Sequence, residues 1–214
     1  MSEKLTELDP ERIRLNLERV RERIASVGRD TSEVEVCAAI KYIGTESLPA
    51  LAEAGVELVG ESRAQQLSRR RELHGDLFTW DFIGALQSRK IRQVAPAVRL
   101  IHSLASDSAL SQLEKYPAAE VLVQVNVAGE EGKAGIAPAE VADFIARSPV
   151  PVTGLMTMPP FSERAEDSRP HFARLAELAA EHDLGRLSMG TSQDYEVAAA
   201  EGSTIVRIGS ALIA

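Results

Sequence analysis

The sequence predicts an α/β fold, a single closed (β/α)8 barrel of the TIM type. Short apolar segments alternate strictly with helical ones, there are eight such segments, and one helix pattern fills every gap between them. Alternation of this kind implies right-handed crossovers and a parallel sheet, and eight strands favour closure. An open doubly wound sheet is the competing arrangement, since one strand fewer would leave the sheet unclosed. No Gly-x-Gly-x-x-Gly follows the first strand to support a dinucleotide fold.

The elements follow in order. Asp9 and Pro10 read as an N-cap and first helical residue, and Ile13, Leu17, Val20, Ile24 and Val27 then recur at helical spacing until Gly28 stops the pattern. Strands are expected at 34–40, 58–60, 79–84, 99–103, 121–127, 152–156, 186–189 and 204–208. Helices are expected near 46–54, 62–73, 87–95, 107–115, 138–147, 166–182 and 193–201. Only Gly209 to Ala214 follow the last strand, too few for a full eighth helix. The N-terminal helix, within residues 1–28, is therefore expected to cover that side of a barrel spanning 34–210, and 1–214 reads as one domain.

Composition narrows the function. The 214 residues are 44% hydrophobic and 26% charged, as in an ordinary globular protein, which excludes disorder and low complexity. A net charge of −8 with scattered basic residues would repel a phosphodiester backbone, so no nucleic-acid partner is expected. The run Arg69, Arg70, Arg71 is read as a solvated helix face without a role. The N-terminal stretch MSEKLTELDPERIRL is polar where a signal peptide is apolar, and no apolar run approaches the ~18 residues of a membrane span. A lone cysteine, Cys37, suits a reducing compartment, so the expected location is cytoplasmic, with no membrane association.

In such barrels the active site lies at the C-terminal ends of the strands. Alternation in the first strand puts Val34, Val36, Ala38 and Ile40 against the helices and Cys37, Ala39 and Lys41 inward. A lysine desolvated there would be the more nucleophilic and suited to a Schiff base; the alternative is a side chain that has snorkelled to solvent. In the last strand Ile205, Arg207 and Gly209 share the inner face. Arg207 needs a partner, either a ligand or Glu61 at the end of the second strand. Ser188-Met189-Gly190-Thr191-Ser192-Gln193-Asp194 and Gly209-Ser210 follow strands seven and eight, where this fold binds phosphate. Ser192 is either a phosphate contact or an N-cap of the next helix. Together the lysine, the arginine and the anion loops point to a phosphorylated aldehyde cofactor. Asn126, His102 and Met156 also fall near strand ends. His74, His171 and His182 have no partner at ligand spacing, so no metal site is expected.

These blocks, together with Ile40-Lys41, Val59-Gly60-Glu61-Ser62, Trp80 to Lys90, Val125-Asn126-Val127 with Lys133-Ala134-Gly135, and Gly154 to Pro160, make the chain resemble the YggS/PROSC family of pyridoxal 5′-phosphate homeostasis proteins. That family is similar to the barrel domain of alanine racemase. The resemblance implies Lys41 as the Schiff-base lysine holding pyridoxal 5′-phosphate (PLP) in an internal aldimine, Arg207 as partner of the pyridine nitrogen, and Ser192, Gly209 and Ser210 as the phosphate cup. It implies a monomeric carrier that buffers or delivers PLP without strong catalysis, with free amino acids and PLP-dependent apoenzymes as partners. The chain departs from the family pattern at Ser62, Asp81, Arg89 and Thr191, lacks the usual proline after the lysine, and ends in Ala211-Leu212-Ile213-Ala214. The competing functions are a PLP-dependent amino-acid racemase, for whose second domain 214 residues leave no room, and a phosphosugar enzyme using Glu61 as base.

Overall fold

The computed structural model describes residues 7–214; residues 1–6, the start of the polar N-terminal stretch, lie outside them. Eight strands close into a barrel: β1 (Glu35–Ala39), β2 (Leu58–Glu61), β3 (Thr79–Phe82), β4 (Leu100–Leu104), β5 (Glu120–Gln124), β6 (Val152–Met156), β7 (Arg186–Thr191) and β8 (Ile205–Ile208). All pair in parallel with their neighbours in chain order, and β8 returns to β1 with Arg207 beside Cys37.

The helices are α1 (Pro10–Ser26), α2 (Leu48–Glu53), α3 (Ala64–His74), α4 (Ile91–Val94), α5 (Asp107–Leu113), α6 (Val141–Ala146), α7 (Arg169–Glu181), α8 (Tyr195–Ala200) and α9 (Ser210–Ile213). Asp9 caps α1 by accepting a hydrogen bond from the Glu11 N–H, and Gly28 leaves the helix with φ +84°. Several helices are shorter than the periodicity suggests. The segment 87–95 breaks into a 3-10 turn, one turn of α4 and a second 3-10 turn at Ala95–Ala97, where Pro96 has no N–H to continue the ladder. β5 stops at Gln124 because Val125 bridges to Ile136 instead.

After β8 the chain manages one helical turn, α9, and α1 lies against it. The buried Asn16 side chain donates to the carbonyls of Leu212 (3.0 Å) and Ala214 (3.3 Å), satisfying acceptors that a four-residue helix leaves open. The N-terminal helix thus covers the side that lacks a full eighth helix.

Strand alternation divides the apolar residues into two groups. Cys37, Leu58, Leu100, Leu122, Met156 and Ile205 fill the barrel interior, while Val34, Ala38, Ile40, Val206 and Ile208 face the helices in the larger outer core. At the N-terminal end Arg99 joins Glu35 to Asp81, and Arg186 reaches Glu120 at 3.4 Å, closing that end with ion pairs. Among the described residues no helix is long and apolar enough to cross a membrane.

Leu122 is fully buried inside the barrel, whereas Leu73 on α3 is 59% exposed. Leu122→Ala should cost about 2–5 kcal/mol of unfolding free energy in a denaturant titration, and Leu73→Ala no more than about 0.5 kcal/mol. Equal effects would contradict this division of inner and outer faces.

Candidate functional site

A cavity of about 700 Å³ opens among the C-terminal ends of the strands. Lys41, Ser192, Arg207, Gly209 and Ser210 all line it, so the five residues singled out from the sequence come together. Tyr42, Ser62, Ile83, Met158, Thr191 and Gln193 join them. Of these, Ile83 and Met158 were not legible as site residues, because a lone apolar side chain after a strand reads as packing.

Of the two arrangements open to Lys41, the structure has the second: its side chain reaches solvent and is not desolvated. β1 ends at Ala39 and the chain turns at once, with the Ile43 N–H donating to the Ile40 carbonyl at 3.1 Å. The lysine therefore sits at the open mouth, its Nζ 4.8 Å from the centroid of the Tyr42 ring.

Arg207 is buried, 6% exposed, and its hydrogen bonds go to uncharged groups. Nη1 donates to Ser188 Oγ at 2.6 Å, and Nη2 donates to the Thr157 carbonyl at 2.9 Å and lies 2.8 Å from Met158 Sδ. Among the described residues no carboxylate forms an ion pair with it, and the expected alternative partner, Glu61, is engaged elsewhere. Burial pushes its pKa down to about 10, so it stays charged at neutral pH.

Behind Arg207 runs a chain of buried polar groups. His102 Nδ1 lies 2.8 Å from Ser188 Oγ and its Nε2 lies 3.0 Å from Asp81 Oδ2. Burial would raise the Asp81 pKa, but hydrogen bonds from His102 and Arg99 outweigh it and hold the carboxyl below its usual range. Burial also lowers the His102 pKa, against the pull of Asp81. A neutral histidine facing a carboxylate must donate from Nε2, which leaves Nδ1 to accept from the Ser188 hydroxyl. The Ser188 lone pairs then face Arg207. His102, noted for its place near a strand end, thus belongs to the support of the site, one layer behind the cavity wall. Met156 fills the barrel interior, and Asn126 exchanges hydrogen bonds with the Glu130 backbone in its own loop.

The loops after β7 and β8 are held by side chains that bind backbone amides. Ser192 Oγ accepts from the N–H groups of Gly209 (3.0 Å) and Ala211 (3.2 Å), so this serine serves the turn after β8 and does not cap α8, whose N-cap is Asp194. Asp194 instead ties its loop down: Oδ1 accepts from the Thr191 N–H (2.7 Å) and hydroxyl (3.0 Å), and Oδ2 from Ser168 Oγ (2.9 Å). Gly190 has φ +91°, and a Cβ there would come within 2.6 Å of Ala198 Cβ. Glu61 does not line the cavity, which removes the base required for phosphosugar chemistry. Among the described residues no group of His, Cys, Asp and Glu could hold a metal ion.

The barrel and its mouth define a class: residues 8–214 match the family model described as alanine racemase, N-terminal domain. The chain is 38% identical over 218 residues to the pyridoxal phosphate homeostasis protein of Aquifex aeolicus, covering 94% of this chain and 96% of that one. It is 37% identical over 207 residues to the protein of the same name from Pseudomonas aeruginosa, covering 91% and 90%. Within the racemase-type class, the chain belongs to the pyridoxal phosphate homeostasis protein family. The solved structure of PipY from Synechococcus elongatus with PLP bound superposes with a TM-score of 0.76 at 28% identity, covering 91% of this chain and 100% of that one. Alanine racemase from Bartonella henselae superposes at 0.72 with 16% identity, covering 97% of this chain and 59% of that one, a likeness of fold.

The buried pair makes a pH dependence. His102 and Asp81 both have folded-state pKa values below their ordinary ones, so each contributes stability that is complete above the ordinary pKa and lost as pH falls through the folded one. Urea unfolding should show stability declining once pH drops below 6.5, as the unfolded histidine takes up a proton that buried His102 resists. A second decline is expected below 3.8. His102→Gln should remove the first decline, and its persistence in that variant would assign it to another group.

Proposed function

We propose that the protein binds pyridoxal 5′-phosphate in the mouth of its barrel and acts in PLP homeostasis, holding the cofactor and releasing it rather than using it for rapid turnover. The observation that carries this is Arg207, a buried guanidinium without a carboxylate partner among the described residues, on the wall of a cavity that also holds Lys41 and the Ser192–Gly209–Ser210 cluster. A buried cation of this kind is suited to an acceptor brought by a ligand. The names of the relatives and the PLP in PipY agree with it.

In this reading Lys41 would hold the cofactor through its Nζ at the open mouth of the cavity. Arg207 would donate a hydrogen bond to the pyridine nitrogen, and the Ser192 and Ser210 hydroxyls would bind the phosphate with charge-assisted bonds of about 1.5–3 kcal/mol each, beside Gly209, whose own N–H is given to Ser192 Oγ. Tyr42, Ile83 and Met158 offer apolar cover for a ring. When bound, the cofactor supplies an electrophilic carbon that an amine can attack and exchange. Arg207 holds its proton at neutral pH, so it would give none to the ring nitrogen, and the ring would be a weak sink for carbanion electrons.

Because Lys41 is exposed, free amino acids can approach it from the mouth, and PLP-dependent apoenzymes are the proposed recipients. A monomer in the cytoplasm is the proposed state, and the buried free Cys37 suits that reducing compartment.

Incubation with PLP, borohydride reduction and peptide mass spectrometry should locate the adduct on Lys41, in preference to Lys90, Lys115 or Lys133. Ser192→Ala should weaken PLP binding about tenfold or more without unfolding the protein, and pyridoxal without its phosphate should bind far more weakly than PLP. Equal affinity for pyridoxal and PLP, or an adduct mainly on another lysine, would overturn the assignment. Exchange of amino-acid α-protons in deuterated water at the ~1–10³ per second of enzymes, abolished by Lys41→Ala, would make the protein a racemase-like enzyme instead.

A further inference from the structure

The middle residue of the Arg69-Arg70-Arg71 run is not solvated. Arg69 and Arg71 are exposed, but Arg70 is 1% exposed and forms an ion pair with Glu61, also 1% exposed, at 2.6 Å. Breaking such a pair strands a charge, while replacing both members with apolar residues is often harmless, so the pair is weak as a device for stability alone. Arg70 Nε is buried without a hydrogen-bond partner, a further cost of keeping the arginine here.

What the pair touches suggests its use. Arg70 Nη1 donates to the Ile40 carbonyl at 2.9 Å as well as to Glu61, and Nη2 donates to the Ile43 carbonyl. These carbonyls bracket Lys41 and Tyr42. On the other side, Glu61 Oε1 accepts from the N–H groups of Ser62 (2.6 Å) and Arg63 (2.9 Å). Ser62 and Lys41 are two walls of one cavity, and a single buried ion pair grips the backbone of both.

We propose that Glu61 and Arg70 are positioning residues, a buried clamp that fixes the backbone on both sides of Lys41 and orients its amine into the cavity. The proposal rests on the reading of Lys41 as the attachment amine. A lysine side chain at an open mouth is long and mobile, so its attack geometry depends on how firmly its Cα is held. Arginine suits the task because its planar fork can reach two carbonyls and a carboxylate at once, which an ammonium on a flexible stem does less well.

The test separates covalent capture from occupancy of the site. Arg70→Met, Arg70→Lys and Glu61→Gln are compared with wild type and with Arg71→Ala, an exposed neighbour. The rate of the borohydride-trapped Lys41 adduct is measured with PLP. Binding of pyridoxine 5′-phosphate, which has the ring and phosphate but no aldehyde, is measured alongside thermal stability. Arg70→Met should slow adduct formation about tenfold or more while pyridoxine 5′-phosphate affinity stays within about twofold. Arg70→Lys, which keeps the charge facing Glu61 and guards against a variant that fails to fold, should recover part of the rate. Arg71→Ala should match wild type. Unchanged adduct rates in folded Arg70→Met or Arg70→Lys would overturn the clamp, as would losses of adduct rate and pyridoxine 5′-phosphate affinity that run in parallel with stability. A wild-type protein that binds PLP but carries no adduct on Lys41 would instead overturn the reading of that lysine.

Discussion

A closed parallel barrel buries both faces of every strand, so a polar side chain that points inward must be satisfied by another inside the barrel or by something that enters at the mouth. Ion pairs of Glu35, Arg99, Arg186 and Glu120 occupy the N-terminal end, and Cys37, Leu58, Leu100, Leu122, Met156 and Ile205 fill the middle. From Asp81 beside Arg99, hydrogen bonds pass through His102 and Ser188, between strands β3, β4 and β7, until the series ends on Arg207 of β8. The charge of the guanidinium is therefore met at a distance, through two neutral groups, and the residue stays available at the cavity wall.

Two buried arginines in this protein have opposite arrangements. Arg70 has a carboxylate in direct contact and lies outside the cavity lining, as expected of a cation that holds structure together. Arg207 touches a hydroxyl, a carbonyl and a thioether, and it lines the cavity. Burial lowers the pKa of both; Glu61 in direct contact pulls Arg70 back, whereas Arg207 feels Asp194 only beyond ion-pair distance. A neutral ligand acceptor at the mouth would give Arg207 a further hydrogen bond, where Glu61 gives Arg70 a charge.

The likeness to alanine racemase is one of fold, and this chain's own residues set how the shared mouth is used. Asp81 is an example: its carboxylate pairs with both Arg99 and His102 and decides the direction of every hydrogen bond up to Arg207. The loops after β7 and β8 are similarly ordered, with Asp194 binding its own loop and Ser192 collecting the amides after β8.

The barrel was legible in the sequence because its signals are local. Period-two alternation fixes which residues of β1 and β8 point inward, Asp9-Pro10 marks the start of α1, and eight strands in strict alternation imply closure. Lys41, Ser192, Arg207, Gly209 and Ser210 were legible for the same reason, as polar or small residues at strand ends. Partnerships across the fold were not. Arg70 looks like its exposed neighbours because nothing within a run of three arginines shows which one the helix turns toward Glu61 and the Ile40 carbonyl. The part of His102 depends on Asp81 and Ser188, 21 and 86 residues away along the chain, and Ser192 caps a turn 17 residues on instead of its own helix. Even the exposure of Lys41 was set by a turn beginning one residue after its strand ends. Direction along a strand is a property of the backbone repeat, but a hydrogen bond between distant segments exists only once closure of the barrel has brought them within reach.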